Sequence, residues 1–208
     1  MDEPEFEMWD IHPLIPILRF ADVEASGIHE GSYPLEFGWC GIDLVPSAIL
    51  VRPEPGWTTN LFDPNSYEMH GISYDMAKAN GEDADAVAHR LNAELQGKAV
   101  VTDNVYWDGV WTARLAETTG VPMRFGYNDS TNMKTTFSRV YDPWCVERRD
   151  TLYKATDRFY PHTHRADADS LRMAARTRML IDREWAQWLL DRPNATAQPS
   201  FAGRTLGR

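Results

Sequence analysis

Ile17-Leu18-Arg19-Phe20-Ala21-Asp22-Val23-Glu24-Ala25-Ser26-Gly27 is the stretch on which the fold turns. Its first half is a short apolar run, and the turn-forming Ala25-Ser26-Gly27 stops it, which predicts a buried strand ending abruptly at Glu24. Residues two apart in a strand project to one face, so Asp22 and Glu24 are expected side by side at its C-terminal end. Carboxylates that close repel each other unless cations lie between them, and hard divalent ions such as Mg²⁺ or Mn²⁺ take oxygen ligands of this kind. An isolated Asp-x-Glu is more often just two surface acids at a strand end, so the rest of the chain must supply the partners.

Downstream, Gly31-Ser32-Tyr33-Pro34 reads as a turn, 35–44 as a central strand and 47–51 as a third, closed by Arg52-Pro53-Glu54-Pro55-Gly56. Short connections between them predict an antiparallel meander. A long loop follows, with Trp57, Leu61, Phe62, Tyr67, Met69 and His70 exposed to some degree; loops of that length are often functional. Between Asp83 and Gln96, the residues Ala84, Val87, Ala88, Leu91 and Leu95 make a helical stripe, which Gly97 stops. Ala99-Val100-Val101-Thr102 predicts a fourth strand, and Asn104 caps a helix whose stripe is Trp107, Val110, Trp111 and Leu115. Gly120-Val121-Pro122 ends that helix and 123–127 predicts a fifth strand. Residues 130–160 read as helix broken at Asp142-Pro143, and 166–182 as a strong helix able to continue to Leu190.

The pattern is an α/β domain: a mixed sheet of about five strands flanked by helices, with strand C-termini and the following helices converging on one crevice. Residues 1–192 are expected to form a single domain, and the Pro/Ser/Ala/Gly-rich 193–208 a flexible tail.

The 208 residues suit one domain, and 43% apolar with 25% charged residues is ordinary for a globular protein. No apolar run approaches the roughly 18 residues of a membrane span. Met1-Asp2-Glu3-Pro4-Glu5 is acidic and carries no secretory pattern, while Cys40 and Cys145 are far apart in no metal or redox spacing; both features lead to a cytoplasmic expectation. The net charge of −10 is uneven: residues 1–119 hold 6 basic and 21 acidic side chains, residues 120–208 hold 15 and 10. A polyanion could meet the basic half while cations neutralise the acidic one.

Two further acids extend the first pair. Asp108 falls in the first turn of its helix, off the Trp107/Trp111 stripe, where the helix dipole alone would favour an acid. Asp169 falls in the first turns of the late helix, after His162-Thr163-His164-Arg165-Ala166-Asp167. His162-x-His164 offers a metal pair of its own or two ordinary turn histidines, the second being the commoner case.

Taken together, these segments resemble the motifs of the DEDDh 3′–5′ exonuclease family, which includes RNase T, oligoribonuclease and the proofreading subunit of bacterial DNA polymerase III. Phe20 to Gly27 resembles the first motif, Asp103-Asn104-Val105-Tyr106-Trp107-Asp108 the second, and His164-Arg165-Ala166-Asp167-Ala168-Asp169 the third, while His70-Gly71-Ile72 matches a common loop signature. The resemblance covers roughly residues 18–180 in the expected order, and it implies a ribonuclease H-like fold. It further implies a two-metal hydrolysis of phosphodiester bonds at the 3′ end of single-stranded DNA or RNA, releasing nucleoside 5′-monophosphates. Asp22, Glu24, Asp108 and Asp169 would hold two Mg²⁺ or Mn²⁺ ions, and His164 would be the general base, a role that suits an imidazole titrating near neutrality.

Ala25, Ser26, Gly27, His70, Ile72, Asn104 and Arg165 are the residues expected against the substrate. Ser26 and Gly27 would offer backbone N–H groups, and His70 and Ile72 would wedge or stack on terminal bases. Arg172 and Arg176 are further candidates for phosphate steering, Trp57 and Tyr67 for stacking, and Glu36 reads as structural. Some relatives are dimers, so a homodimer is a further expectation, with Trp39, Trp144, Trp185 and Trp188 in the core or at an interface. Competing readings are a catalytically weak nucleic-acid-binding module on the same fold and a phosphodiesterase of very short oligonucleotides.

Overall fold

The computed structural model describes residues 13–132 and 137–192. Five strands form one mixed sheet: β1 (Leu18–Ala25), β2 (Pro34–Cys40), β3 (Pro46–Leu50), β4 (Ala99–Thr102) and β5 (Tyr127–Asp129), in the order β3-β2-β1-β4-β5. The first three make the expected antiparallel meander, whereas β4 and β5 join parallel. This is the ribonuclease H-like α/β arrangement expected from the sequence.

β1 is the middle strand of the five and is covered on both faces, and its alternation sorts residues between two layers. Ala21, Val23 and Ala25 pack on one side with Leu35, Phe37, Val87, Leu91, Val100 and Leu115. There lie helices α3 (Ala84–Leu95) and α4 (Val105–Thr119), capped at their C-terminal ends as the sequence implies, with Gly97 at φ +74° and Gly120 at φ +72°. Leu18 and Phe20 face the other way, with Cys40, Val101, Ala174 and Ile181. Helix α7 (Ala166–Ile181) covers that side. A smaller apolar cluster of Cys145, Leu152, Phe159, Met179, Trp185 and Leu189 ties it to α5 (Pro143–Glu147), α6 (Arg149–Phe159) and α8 (Arg183–Leu190).

Several expectations need correction. The loop after β3 is partly helical, holding α1 (Pro64–His70), whose first turn Asp63 caps, and α2 (Tyr74–Asn80), capped by Ser73. Trp57 is buried there and stacks on Tyr33 with ring centroids 5.2 Å apart. β2 ends at Cys40 rather than running to residue 44. The fifth strand starts at Tyr127: the Asn92 side chain takes the Pro122 carbonyl and the Arg124 N–H, so this segment pairs with α3 and only its end reaches the sheet. Asp182 interrupts the late helix because its carboxylate accepts the Trp185 N–H and so starts a new one. Residues 193–208 lie outside the described residues. No described helix is long and apolar enough to cross a membrane.

Candidate active site

The strand alternation that sends Ala21 and Val23 to one layer sends Asp22 and Glu24 to the α7 side of β1. On neighbouring β2, Glu36 and Gly38 face the same way, opposite Glu24 and Asp22 in the register. These two positions seat the N-terminus of α7. A Cβ at Gly38 would stand 2.1 Å from the Ala166 carbonyl carbon and oxygen and 2.5 Å from the Asp167 nitrogen, so only glycine admits the helix. The buried Glu36 carboxylate accepts the Arg165 Nε–H at 3.0 Å, a second guanidinium N–H, and the Ala166 backbone N–H at 3.0 Å. Glu36 is structural, as expected.

One turn into the seated helix stands Asp169. Ligand oxygens of Asp22, Glu24 and Asp169 lie within 4.8 Å of one another, so residues from the two ends of the chain meet at the C-terminal end of β1. Asp169 is fixed by the Thr163 N–H, which donates to Oδ1 at 3.1 Å, and His162 Nε2 lies 3.1 Å from Oδ2. His164 precedes α7 with φ +53°, a left-handed backbone that is strained for a residue with a Cβ. Asp108, buried at 2% exposure, is held by the Thr102 hydroxyl, which donates to its carboxylate. It stands outside the close trio but is near enough to act on Asp22 electrostatically.

The electrostatics are those of acids lacking a counter-charge. Burial, then Glu24, Asp108 and Asp169, push the Asp22 carboxyl well above the ordinary carboxylate range. Burial, then Asp169 and Glu36, raise Glu24 to about 8, and burial raises Asp108 to about 7. Asp169 is raised by burial, against the lowering effect of the Thr163 N–H and the two imidazoles. The donor set is all carboxylate oxygen, convergent, and unfavourable when ionised and alone. Those are the properties of a hard-cation site, so the residues fit the divalent ion that the motif resemblance implies.

The residues expected against substrate fare differently. His70 is buried at 5% exposure; its Nδ1 accepts the Ile72 N–H at 3.0 Å and its Nε2 lies 3.1 Å from the Ala25 carbonyl oxygen. That pattern fixes the neutral tautomer, and burial lowers the ring's pKa. Ile72 is fully buried, so neither residue is placed to wedge or stack on bases. The Ser26 N–H donates to the Tyr33 carbonyl at 2.9 Å and its hydroxyl accepts the Tyr33 N–H, which leaves Ser26 no N–H for a phosphate. Ala25 is buried at the strand end, and Gly27 is buried against the His29 ring. Asn104 caps α4, accepting the Trp107 N–H. Arg165 is committed to Glu36, and Arg172 and Arg176 both pair with Asp157, so none is a free phosphate clamp. Of the four tryptophans assigned to core or interface, Trp39 and Trp185 are core. His162, left by the sequence as a turn histidine or half of a metal pair, has its ring 4.1 Å from that of His164 between centroids.

No family model matches the chain, and no curated protein matches it. Solved structures do. Exonuclease I of E. coli in complex with a dT13 oligonucleotide superposes with a TM-score of 0.58 at 18% identity, over 84% of this chain and 42% of that one. The zinc-bound E. coli exonuclease I–ssDNA complex gives the same values. So does a moderately thermophilic exonuclease I from Methylocaldum szegediense. The likeness is one of fold, and the chain spans less than half the length of these neighbours.

Proposed function

We propose that the chain is a divalent-metal-dependent 3′–5′ exonuclease that hydrolyses phosphodiester bonds at the 3′ ends of single-stranded DNA. The observation that carries this reading is the convergence of Asp22, Glu24 and Asp169 at the end of β1, with His164 on the segment leading into α7. DNA is favoured over RNA because the exonuclease I neighbours were solved with DNA strands.

Asp22, Glu24 and Asp169 would hold Mg²⁺ or Mn²⁺, with Asp108 supporting from the first turn of α4. Bound there, a cation would supply Lewis acidity to the scissile phosphate and would lower the pKa of the attacking water. His164 takes the proton of that water at a ring nitrogen as its oxygen attacks phosphorus in line. The bond from phosphorus to the 3′-oxygen breaks, and the 3′-oxygen leaves as a hydroxyl after protonation from solvent. The product is a nucleoside 5′-monophosphate and a strand one residue shorter. Glu36 and Arg165 position rather than react: through Ala166 they hold the helix that carries Asp169.

The test is digestion of 5′-labelled single-stranded DNA and RNA of one sequence with Mg²⁺, Mn²⁺ or EDTA, with Asp22→Ala as control. A ladder shrinking from the 3′ end, lost with EDTA and in the variant, and faster on DNA, is expected. Folded protein that binds the label but cleaves neither strand would instead establish the binding module.

A further inference from the structure

His162, His164 and Asp169 form a second ligand cluster that the hydrolytic reading does not use as a unit. One ligand atom from each lies within 4.8 Å of the others. The local backbone builds the cluster. In an extended strand, residues two apart lie about 6.6 Å from each other. The left-handed turn at His164 folds the segment so that the two rings tilt together at 47°, 4.1 Å between centroids. The Thr163 N–H pins Asp169 Oδ1, and Oδ2 is left 3.1 Å from His162 Nε2. The His162 side chain is 48% exposed and that of Asp169 9%, so the cluster opens to solvent on one side and is anchored by an almost buried anion on the other.

We infer that these three residues are a second cation site, selective for borderline transition ions such as Zn²⁺, which shares Asp169 with the Asp22–Glu24–Asp169 site and switches the exonuclease off when filled. The switching half rests on the hydrolytic reading above; the binding half does not. Two imidazole nitrogens and one carboxylate oxygen with a position left open are the donor set of three-ligand zinc sites. The neighbouring trio offers oxygen alone and suits Mg²⁺ or Mn²⁺. The two clusters therefore sort cations by ligand softness while drawing on one carboxylate. An ion bound at the histidines occupies the His164 lone pair that would otherwise accept the proton of the attacking water. It also pulls on Asp169, so hydrolysis loses its base and a ligand together.

The full chain is titrated with Zn²⁺ by calorimetry in excess Mg²⁺, alongside His162→Ala and Asp22→Asn, and Co²⁺ serves as a spectroscopic probe. One Zn²⁺ per chain is expected, with the intense visible absorption of low-coordinate Co²⁺ at the same site. His162→Ala should weaken Zn²⁺ by more than about 100-fold and abolish the Co²⁺ band, since losing even an outer partner of a ligand costs about 10–100-fold. Asp22→Asn should keep both. No Zn²⁺ binding by the unaltered chain, or equal affinity in His162→Ala, would overturn the site and leave His162 as a hydrogen-bond partner of Asp169. For the switch, cleavage with and without Zn²⁺ is compared within each protein. Zn²⁺ should arrest the unaltered chain and spare His162→Ala, and bound Zn²⁺ that leaves cleavage unslowed would overturn the switch. Absence of Mg²⁺-supported cleavage would sink the hydrolytic reading alone, because calorimetry and the Co²⁺ band judge the site independently.

Discussion

Replacing Gly38 with alanine tests how the site is assembled, because one methyl group is aimed at the backbone that carries Asp169. The added Cβ would meet the Ala166 carbonyl at 2.1 Å, whereas ordinary contact begins near 3.4 Å, so the helix must retreat by about 1.3 Å. Backbone cannot rotate aside as a side chain would. The Ala166 N–H bond to Glu36, now 3.0 Å, is then stretched beyond useful length. Overpacking costs about 1–3 kcal/mol and a lost bond to a charged group about 1.5–3, or about 2.5–6 kcal/mol together. For a chain of this size, at about 2–4 °C per kcal/mol, that lowers the Tm by roughly 5–24 °C. The same retreat carries Asp169 off Asp22 and Glu24, and a misplacement of about 1 Å at a reacting centre can cost about 10²-fold in rate. The assay is thermal unfolding of Gly38→Ala, with and without Mn²⁺, beside Gly56→Ala, where a Cβ meets nothing within 4 Å. Gly56→Ala should match the unaltered chain, while Gly38→Ala should melt early and gain little from Mn²⁺. If Gly38→Ala melts within about 2 °C of the unaltered chain and keeps the full Mn²⁺ gain, the seating argument is wrong.

The raised acids set a pH dependence. Asp22, Glu24, Asp108 and Asp169 all titrate higher in the folded chain than in the unfolded one, so the folded state holds protons the unfolded state has released. Their contribution is full below about pH 4 and drains as pH climbs through about 7 for Asp108 and about 8 for Glu24. The Tm in EDTA should therefore fall between about pH 5.5 and 8.5, with Mn²⁺ restoring more at the upper end and Asp22→Asn flattening the fall; a metal-free Tm that rises across this window contradicts the assignment. His70→Ala should cost about 1–3 kcal/mol in urea unfolding, because it strands the Ile72 N–H in the interior, and its main effect should be on stability rather than on strand affinity. Gly109 lies inside α4 with open space around its Cβ position, so Gly109→Ala should stabilise by about 0.5–1 kcal/mol. A loss of stability there would mean the helix is not as described.

The sequence was most legible where one physical rule acts alone. Alternation placed Asp22 and Glu24 on one strand face, the helical stripe from Ala84 to Leu95 gave α3, and glycine marked the ends of α3 and α4. It was least legible where a distant side chain decides a backbone's fate. Nothing local to 123–126 shows that Asn92 will take up its backbone groups and delay β5. Charge counting misled for the same reason. The basic excess after residue 120 looks available to a polyanion, yet Arg165, Arg172 and Arg176 find their anions at Glu36 and Asp157. His70 and Ile72 sit in a motif that promises substrate contact, and burial turns them into the fastening between α1 and the end of β1.

The seating of α7 on Gly38 has a consequence in time as well as in space. Asp22 and Glu24 are synthesised before Asp169 and His164, on a strand that pairs with β2, itself paired with β3, both nearby in sequence. Asp169 and His164 emerge only after β4 and β5 have been made. A nascent chain therefore carries Asp22 and Glu24 without the third carboxylate of their cluster until α7 has been made and docks. A fragment ending before Ala166 should keep the meander's residues and lose the Mn²⁺ gain in Tm, because the third carboxylate is gone.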